Sequence, residues 1–113
     1  VLPRIISTIV NEDGSAGPRE VYVDDLREVP DGVAFDVEGN LYITRIGGGR
    51  VAKVSPAGEV LREIDLRGED PSNIAFGGPD GRTAYVTEME HGRLIKFRTE
   101  RPGLAWKRWQ ENK

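Results

Sequence analysis

The residue with the clearest potential for chemistry is Asp31, in the segment Pro30-Asp31-Gly32 just before a short apolar run. Carboxylates placed before the inner strands of a sheet assembly can converge on one hard divalent cation, because such cations prefer oxygen ligands. Aspartate is also common in Pro-Asp-Gly turns, so a purely local role is the alternative. Ser72 and Asn73 take the corresponding place in a second, similar segment. There Asn73 is a candidate substrate-binding residue, and a turn-forming role is again the alternative.

Other enzyme signatures are missing from the sequence. The glycine run at 47–49 lacks the lysine of a P-loop and the spacing of a dinucleotide site, so a hairpin turn accounts for it better. No G-x-S-x-G segment is present. The single histidine, His91, follows Glu88 and Glu90 in a predicted turn. Zinc sites usually recruit several nitrogen or sulfur ligands, so we expect His91 to be solvated rather than catalytic.

The elements that would position Asp31 occur twice along the chain. Segment 30–44 contains a turn, an apolar strand, a second turn and a second strand, and segment 71–87 has the same plan. Identical residues stand 41 or 43 positions apart: Pro30 and Pro71, Ala34 and Ala75, Phe35 and Phe76, Tyr42 and Tyr85, Thr44 and Thr87, Gly49 and Gly92, Arg50 and Arg93. A period of about 40–45 residues with four short strands is typical of a β-propeller blade. We therefore predict an all-β fold of four-stranded propeller blades.

The repeat divides the chain into about two and a half blades. We predict the outer strands of one blade in 1–29, a full blade in 30–70 and the last blade in 71–113. The innermost strand of the full blade is predicted over 33–36, and its apolar residues favour burial on both faces. The outermost strand of the last blade is predicted over 104–109. The tryptophans in that segment are three residues apart, which also fits a helical turn, but so short an isolated helix is marginal.

Two and a half blades do not make a closed object, because propellers close with four to eight blades. Either the chain is a piece of a longer protein, or several copies assemble and complete the ring. Blades need neighbours on both sides, and the sequence starts with Val1 rather than methionine. The interpretation we favour is a piece of a longer propeller.

Composition narrows the possible partners. The 113 residues carry a net charge of −3 with both signs interspersed, which argues against nucleic acid as a partner. No apolar run approaches the ~20 residues of a membrane span, so we expect no membrane partner either. The absence of cysteine excludes disulfides and thiolate metal sites but is compatible with more than one compartment. Our expectation is a cytoplasmic protein.

Several motifs, taken in order, resemble the C-terminal portion of the regucalcin/gluconolactonase family. The segments that carry the resemblance are 6–23, 30–36, 38–42, 48–51, 76–78, 85–88 and 101–104. Each motif alone is weak, but their order is specific and covers nearly the whole chain. The resemblance implies a six-bladed propeller that holds a divalent cation in its central channel. It also implies hydrolysis of sugar lactones to aldonic acids.

The resemblance also implies a role for Asp31. In the family, the aspartate of the Pro-Asp-Gly segment is a metal ligand and a proposed general base, and Asp31 matches that position. The implied cation is Ca²⁺ or Zn²⁺, with Mg²⁺ and Mn²⁺ as alternatives, and the implied substrate is a small lactone or ester. The family's other metal ligands lie in earlier blades and have no counterpart here. We therefore expect the remaining blades, from the same parent chain or from other copies, to complete the site; the alternative is a non-catalytic binding or assembly module.

Overall fold

The computed structural model describes residues 4–24 and 28–113, and in these ranges the chain is mostly antiparallel β-structure. The elements in chain order are β1 (Ile5–Val10), β2 (Ala16–Val23), β3 (Val29–Phe35), β4 (Leu41–Ile46), β5 (Arg50–Val54), β6 (Val60–Asp65), β7 (Pro71–Gly77), β8 (Thr83–Glu88), β9 (Arg93–Arg98) and α1 (Leu104–Glu111). The prediction of a mostly β fold is confirmed.

The strands form three sheets in which each strand pairs with the next one along the chain. Sheet 1 contains β1 and β2, sheet 2 contains β3 to β6, and sheet 3 contains β7 to β9. Glycines make the tight turns between the strands, and Gly14, Gly39 and Gly58 have φ values of 88°, 84° and 88°. Glycine enters this left-handed region without steric cost, so each of these hairpins can reverse within a few residues.

Sheet 2 lies between the other two sheets, and its central strands β4 and β5 are largely buried on both faces. Leu41 and Ile43 of β4 belong to a core shared with Val23 of sheet 1. Tyr42, between them in sequence, belongs to the core shared with sheet 3 and meets the Phe76 ring edge-on at 5.2 Å. Successive side chains of a strand point to opposite faces, so a single strand serves both cores. Burial raises the pKa of Tyr42 to about 12, because the phenolate would lose its hydration.

The first strands of sheets 2 and 3 carry a β-bulge at the same place in the repeat. The pairing register shifts between Pro30 and Val33 in β3 and between Pro71 and Asn73 in β7. A bulge adds one residue to one strand and leaves it outside the hydrogen-bond ladder. The sequence predicted a turn at 30–32 ahead of a strand at 33–36, and this was wrong, because β3 already begins at Val29. The bulge accommodates the proline and glycine inside the strand.

Burial of the strand at 33–36 on both faces was also an incorrect expectation. Val33 and Phe35 are 48% and 47% exposed. Ile74, at the position of the repeat that corresponds to Val33, is only 5% exposed because β7 packs against sheet 2. In the described residues, sheet 1 has two strands and leaves this face of β3 uncovered.

The predicted outermost strand at 104–109 is wrong, since this segment is helix α1. The helix contacts β3 and β7. The ring of Trp106 lies directly over Gly81. Any residue other than glycine at position 81 would place its Cβ atom in the space that the ring occupies. A helix too short to be stable alone is therefore stabilised by tertiary packing. Sheet 3 consequently has three strands in the part of the chain that the structure describes. No helix within 4–24 or 28–113 is long and apolar enough to cross a membrane.

Candidate functional site

The β3 bulge presents Asp31 at one end of sheet 2. Pro30 pairs with Arg45 and Val33 pairs with Ile43, so β3 has one residue more than β4 between these two pairs. Asp31 lies in that interval and is exposed. Its carboxylate has no hydrogen-bond partner among the described residues. An exposed, unengaged carboxylate can bind a cation or accept a proton from water.

The residue after Asp31 is held by a buried side chain. The Gly32 N–H donates to the Thr44 hydroxyl at 2.8 Å, and the same hydroxyl donates to the Gly32 carbonyl at 3.1 Å. Thr44 is completely buried. Both main-chain polar groups of Gly32 therefore have a partner although the bulge removes them from the regular ladder.

Gly32 also lies in a close approach between β3 and β7. A Cβ atom at this position would lie 2.5 Å from the Cα of Asn73 and 2.9 Å from the carbonyl oxygen of Ser72. The structure thus places the backbone next to Asp31 against Asn73, the second predicted site residue. The Asn73 Oδ1 accepts the N–H of Ile74 at 2.9 Å. No acceptor for its Nδ2 group occurs in the described part of the chain, which leaves Nδ2 as a donor for a ligand.

Gly32→Ala is expected to destabilise the chain by about 1–3 kcal/mol, the usual range for overpacking, because the new methyl group meets backbone atoms that cannot rotate away. Urea denaturation measures the change. Gly77→Ala is the matched control, since its added Cβ meets only the Tyr85 ring, at 3.2 Å. Equal stability of the two variants would contradict the tight β3–β7 contact.

Next to Thr44, a buried arginine forms an ion-pair cluster that sequence reasoning did not find. Arg45 is 8% exposed, and its guanidinium pairs with Glu28 and Glu63. Glu63 also pairs with Arg50 at 3.0 Å. The Nε of Arg45 has no partner within the described residues. The cluster fixes the end of sheet 2 that carries Asp31.

At the corresponding position of sheet 3, 43 residues later, the buried charge has the opposite sign. Glu88 is 2% exposed. Its carboxylate accepts the N–H groups of Glu90 and His91 at 2.5 and 3.1 Å and the Arg93 guanidinium at 3.3 Å. The repeat itself was the available signal, because two charges at equivalent strand positions indicate a recurring structural role.

The ionised form of Glu88 is favoured in the folded state. Desolvation acts to raise the pKa of its carboxyl, but the hydrogen bonds from His91, Glu90 and Arg93 outweigh it and place the pKa below its ordinary value of 4.5. As the pH falls, Glu88 is therefore protonated at a higher pH in the unfolded chain than in the folded chain. The stabilisation is complete above pH 4.5 and is lost as the pH falls through the lowered folded-state pKa.

Glu88→Gln is therefore expected to lower the melting temperature near neutral pH and to approach the wild type as the pH drops below 4.5. Thermal unfolding followed from pH 7 down to about pH 3 measures this convergence. Glu59→Gln, at an exposed position in the β5–β6 turn, is the control. A melting difference that stays constant over this range would rule out an ionised Glu88 as the cause.

A divalent cation fits the chemistry of Asp31, but Asp31 can be only one of its ligands. The described residues contain no group of three His, Asp or Glu side chains close enough together to hold a metal ion. A cation such as Ca²⁺ takes six to eight oxygen ligands. His91 lies in the β8–β9 turn, half-exposed and 3.4 Å from Glu90, as expected for a solvated histidine.

The family of the chain is shown by comparison with known proteins. The profile described as the SMP-30/Gluconolactonase/LRE-like region matches residues 3–90. The chain belongs to this family. The matched region includes Asp31 and Asn73 and ends before β9 and α1.

Two curated members with significant similarity are named as lactonases. The 6-deoxy-6-sulfogluconolactonase of Pseudomonas putida is 42% identical over 91 residues, which cover 74% of this chain and 30% of that protein. The pentonolactonase of Haloferax volcanii is 35% identical over 78 residues, which cover 67% of this chain and 27% of that protein. The chain therefore spans less than a third of the length of these two SMP-30/gluconolactonase relatives.

The fold of this chain also matches that of a solved structure of a regucalcin. A calcium-binding protein, regucalcin, of Agrobacterium tumefaciens superimposes with a TM-score of 0.75 at 23% identity, over 88% of this chain and 41% of that one. At this level of identity the match concerns the fold alone. It agrees with the antiparallel sheets described above and with an architecture of the propeller type.

Proposed function

We propose that this chain is the C-terminal part of a metal-dependent lactonase that hydrolyses a sugar lactone or a related ester. The observation that carries the proposal is the exposed Asp31 carboxylate on the β3 bulge, with the adjoining Gly32 packed against Asn73. The two lactonases among the relatives support the same reaction class.

The architecture that we propose for the parent protein is a six-bladed propeller. The chain would contribute the outer strands of one blade in 1–29, a full blade in 30–70 and the last blade in 71–113. The four strands of sheet 2 and the repeated bulge of β3 and β7 support this division. The uncovered apolar face of β3 supports a neighbouring blade there, because Ile74 is buried at the equivalent position of β7.

Asp31 would serve as metal ligand and as the base that takes a proton from the attacking water. When bound, Ca²⁺, Zn²⁺, Mg²⁺ or Mn²⁺ supplies Lewis-acid activation of the lactone carbonyl and of water. Asn73 would donate a hydrogen bond from Nδ2 to the substrate and orient it. The other ligands would come from blades outside this chain, since Asp31 alone is a poor cation site.

A second candidate function is a non-catalytic module that binds or assembles through its open faces. Val33 and Phe35 favour it, since they are 48% and 47% exposed and lie on the same face of β3, opposite Ile43 and Leu41 of β4. Apolar side chains grouped in this way on a sheet generally mark an interface. The partner would be another propeller sheet, either from the parent chain or from a second copy.

The native mass of the 113-residue chain, measured with and without Ca²⁺ or Zn²⁺ and followed by a lactone hydrolysis assay, separates these functions. A discrete oligomer that metal tightens and that hydrolyses lactone would mean that copies rebuild the channel. A stable oligomer without hydrolysis would favour the assembly module and contradict a channel rebuilt from copies of this chain. A folded monomer indifferent to metal would contradict the assembly module and agree with a site completed by further chain.

A further inference from the structure

The bulge that carries Asp31 is held by one hydroxyl group that the proposed function does not use. Thr44 Oγ1 accepts the N–H of Gly32 at 2.8 Å and donates to its carbonyl at 3.1 Å. A hydroxyl has one hydrogen to donate, and here that hydrogen goes to the main chain. Thr44 is completely buried, and a β-branched side chain has few rotamers, so this bridge is rigid.

The direction of the Asp31 side chain depends on this backbone. Asp31 is exposed, and its carboxylate has no partner within 4–24 and 28–113 that could fix it from the side. Its starting direction is therefore set by the backbone of the bulge, one peptide away from the Gly32 groups that Thr44 binds. Small errors in the direction of a ligand are costly at a metal site, where supporting residues orient the ligands.

The second sheet shows that a bulge does not require such a bridge. Thr87 occupies the repeat position of Thr44, but it is exposed, and its hydroxyl pairs with the Ser72 hydroxyl at 2.8 Å. β7 nevertheless has its bulge, between Pro71 and Asn73. A threonine hydroxyl of the neighbouring strand therefore binds the main chain of β3, the strand that carries the carboxylate. At the bulge of β7, the threonine hydroxyl pairs with a serine side chain instead.

We propose that Thr44 is a positioning residue for Asp31. Its hydroxyl locks the β3 bulge so that the Asp31 carboxylate points toward the cation of the proposed lactonase site. This inference rests on the proposed function for the identity of the ligand, but its geometric part concerns only the described chain. Thr44 itself touches neither the cation nor the substrate.

The first test is structural and needs no metal. In the 113-residue chain, Thr44→Val removes the hydroxyl at nearly constant volume, Thr44→Ser keeps it, and Thr87→Val makes the same change in sheet 3. Amide hydrogen exchange at Gly32 and the backbone HN–Hα couplings of Asp31, which report its φ angle, are read by NMR. We expect at least a tenfold faster Gly32 exchange and averaged Asp31 couplings in Thr44→Val, with wild-type values in Thr44→Ser and Thr87→Val.

The second test places the chain in a complete site. In a graft, this chain replaces the stretch that it matches in the Pseudomonas putida 6-deoxy-6-sulfogluconolactonase, and hydrolysis of that lactone is titrated with Ca²⁺ or Zn²⁺ after chelation. We expect Thr44→Val to raise the half-activating metal concentration by about 10- to 100-fold while the lactone KM stays constant. Thr44→Ser and Thr87→Val should titrate like the unsubstituted graft.

Unchanged Gly32 exchange and Asp31 couplings in a folded Thr44→Val chain would overturn the inference. So would an unchanged metal titration in a graft where Asp31→Asn abolishes hydrolysis. If Thr44→Val does not fold, Thr44→Ser decides, because loss of metal affinity in that variant would assign the effect to the packed methyl group. If Asp31→Asn has no effect in an active graft, the proposed function is wrong. The NMR test on the 113-residue chain still shows whether Thr44 positions Asp31.

Discussion

Replacing Asp31 with asparagine is expected to lower kcat/KM for lactone hydrolysis by about 100- to 10,000-fold in the graft, the range typical of removing a general base. Asparagine keeps the size of the side chain and one oxygen, but it has neither the charge that attracts a cation nor the basicity to accept a proton. The exposed position of Asp31 means that folding should be nearly unaffected.

The control for this result is Asp13→Asn, which makes the same change in the exposed β1–β2 turn, where Asp13 accepts hydrogen bonds from Ser15. Its hydrolysis rate should equal that of the unsubstituted graft. The native mass and thermal unfolding of both variants are measured alongside the rates. Full activity of a folded Asp31→Asn graft would remove Asp31 from the reaction.

Tyr42→Ala is expected to destabilise the chain by about 3–5 kcal/mol, the usual cost of removing a large aromatic side chain from a core. Tyr42 is 2% exposed and lies between sheets 2 and 3, with the rings of Phe76 and Phe97 centred 5.2 and 6.5 Å away. The cavity would remove the main aromatic contact between the two sheets. The free energy of unfolding of a small domain is only about 5–15 kcal/mol in total, so the variant should be close to unfolding.

Urea denaturation of the 113-residue chain measures this loss. Tyr42→Phe is the matched control, because it keeps the ring contacts and removes only the hydroxyl; its change should stay within about 1.5 kcal/mol. If Tyr42→Ala cost no more than Tyr42→Phe, sheets 2 and 3 would not be joined through this ring.

The strands were predictable because their signals are local. Glycine turns, the alternation of apolar and polar residues in 50–54 and the repeat of 41–43 residues predict β4, β5 and β8 within a residue or two. The repeat also relates sheet 2 to sheet 3. Asp31 became a candidate because it precedes a predicted inner strand and because its Pro-Asp-Gly segment matches the family motif. Its placement inside a strand could not be predicted, because a bulge depends on which partner residues the neighbouring strand offers.

The features that sequence reasoning missed depend on tertiary contacts. Helix α1 is stabilised because Trp106 packs on Gly81 in the turn between β7 and β8. The spacing of the two tryptophans in the sequence does not reveal this contact. Exposure of Val33 depends on whether another sheet covers β3. The link from Thr44 to Gly32 requires the register of β3 against β4, although the threonine itself stands out as part of the repeat.

The rate of lactone hydrolysis by the unsubstituted graft, measured before chelation, after chelation and after return of Ca²⁺ or Zn²⁺, decides whether this chain can complete a metal-dependent lactonase site. If this chain supplies the C-terminal part of a metal-dependent lactonase site, the graft hydrolyses the lactone, loses the activity with the metal and regains it with the metal. A folded graft that is inactive with either cation, or one whose rate is indifferent to chelation, would contradict the account.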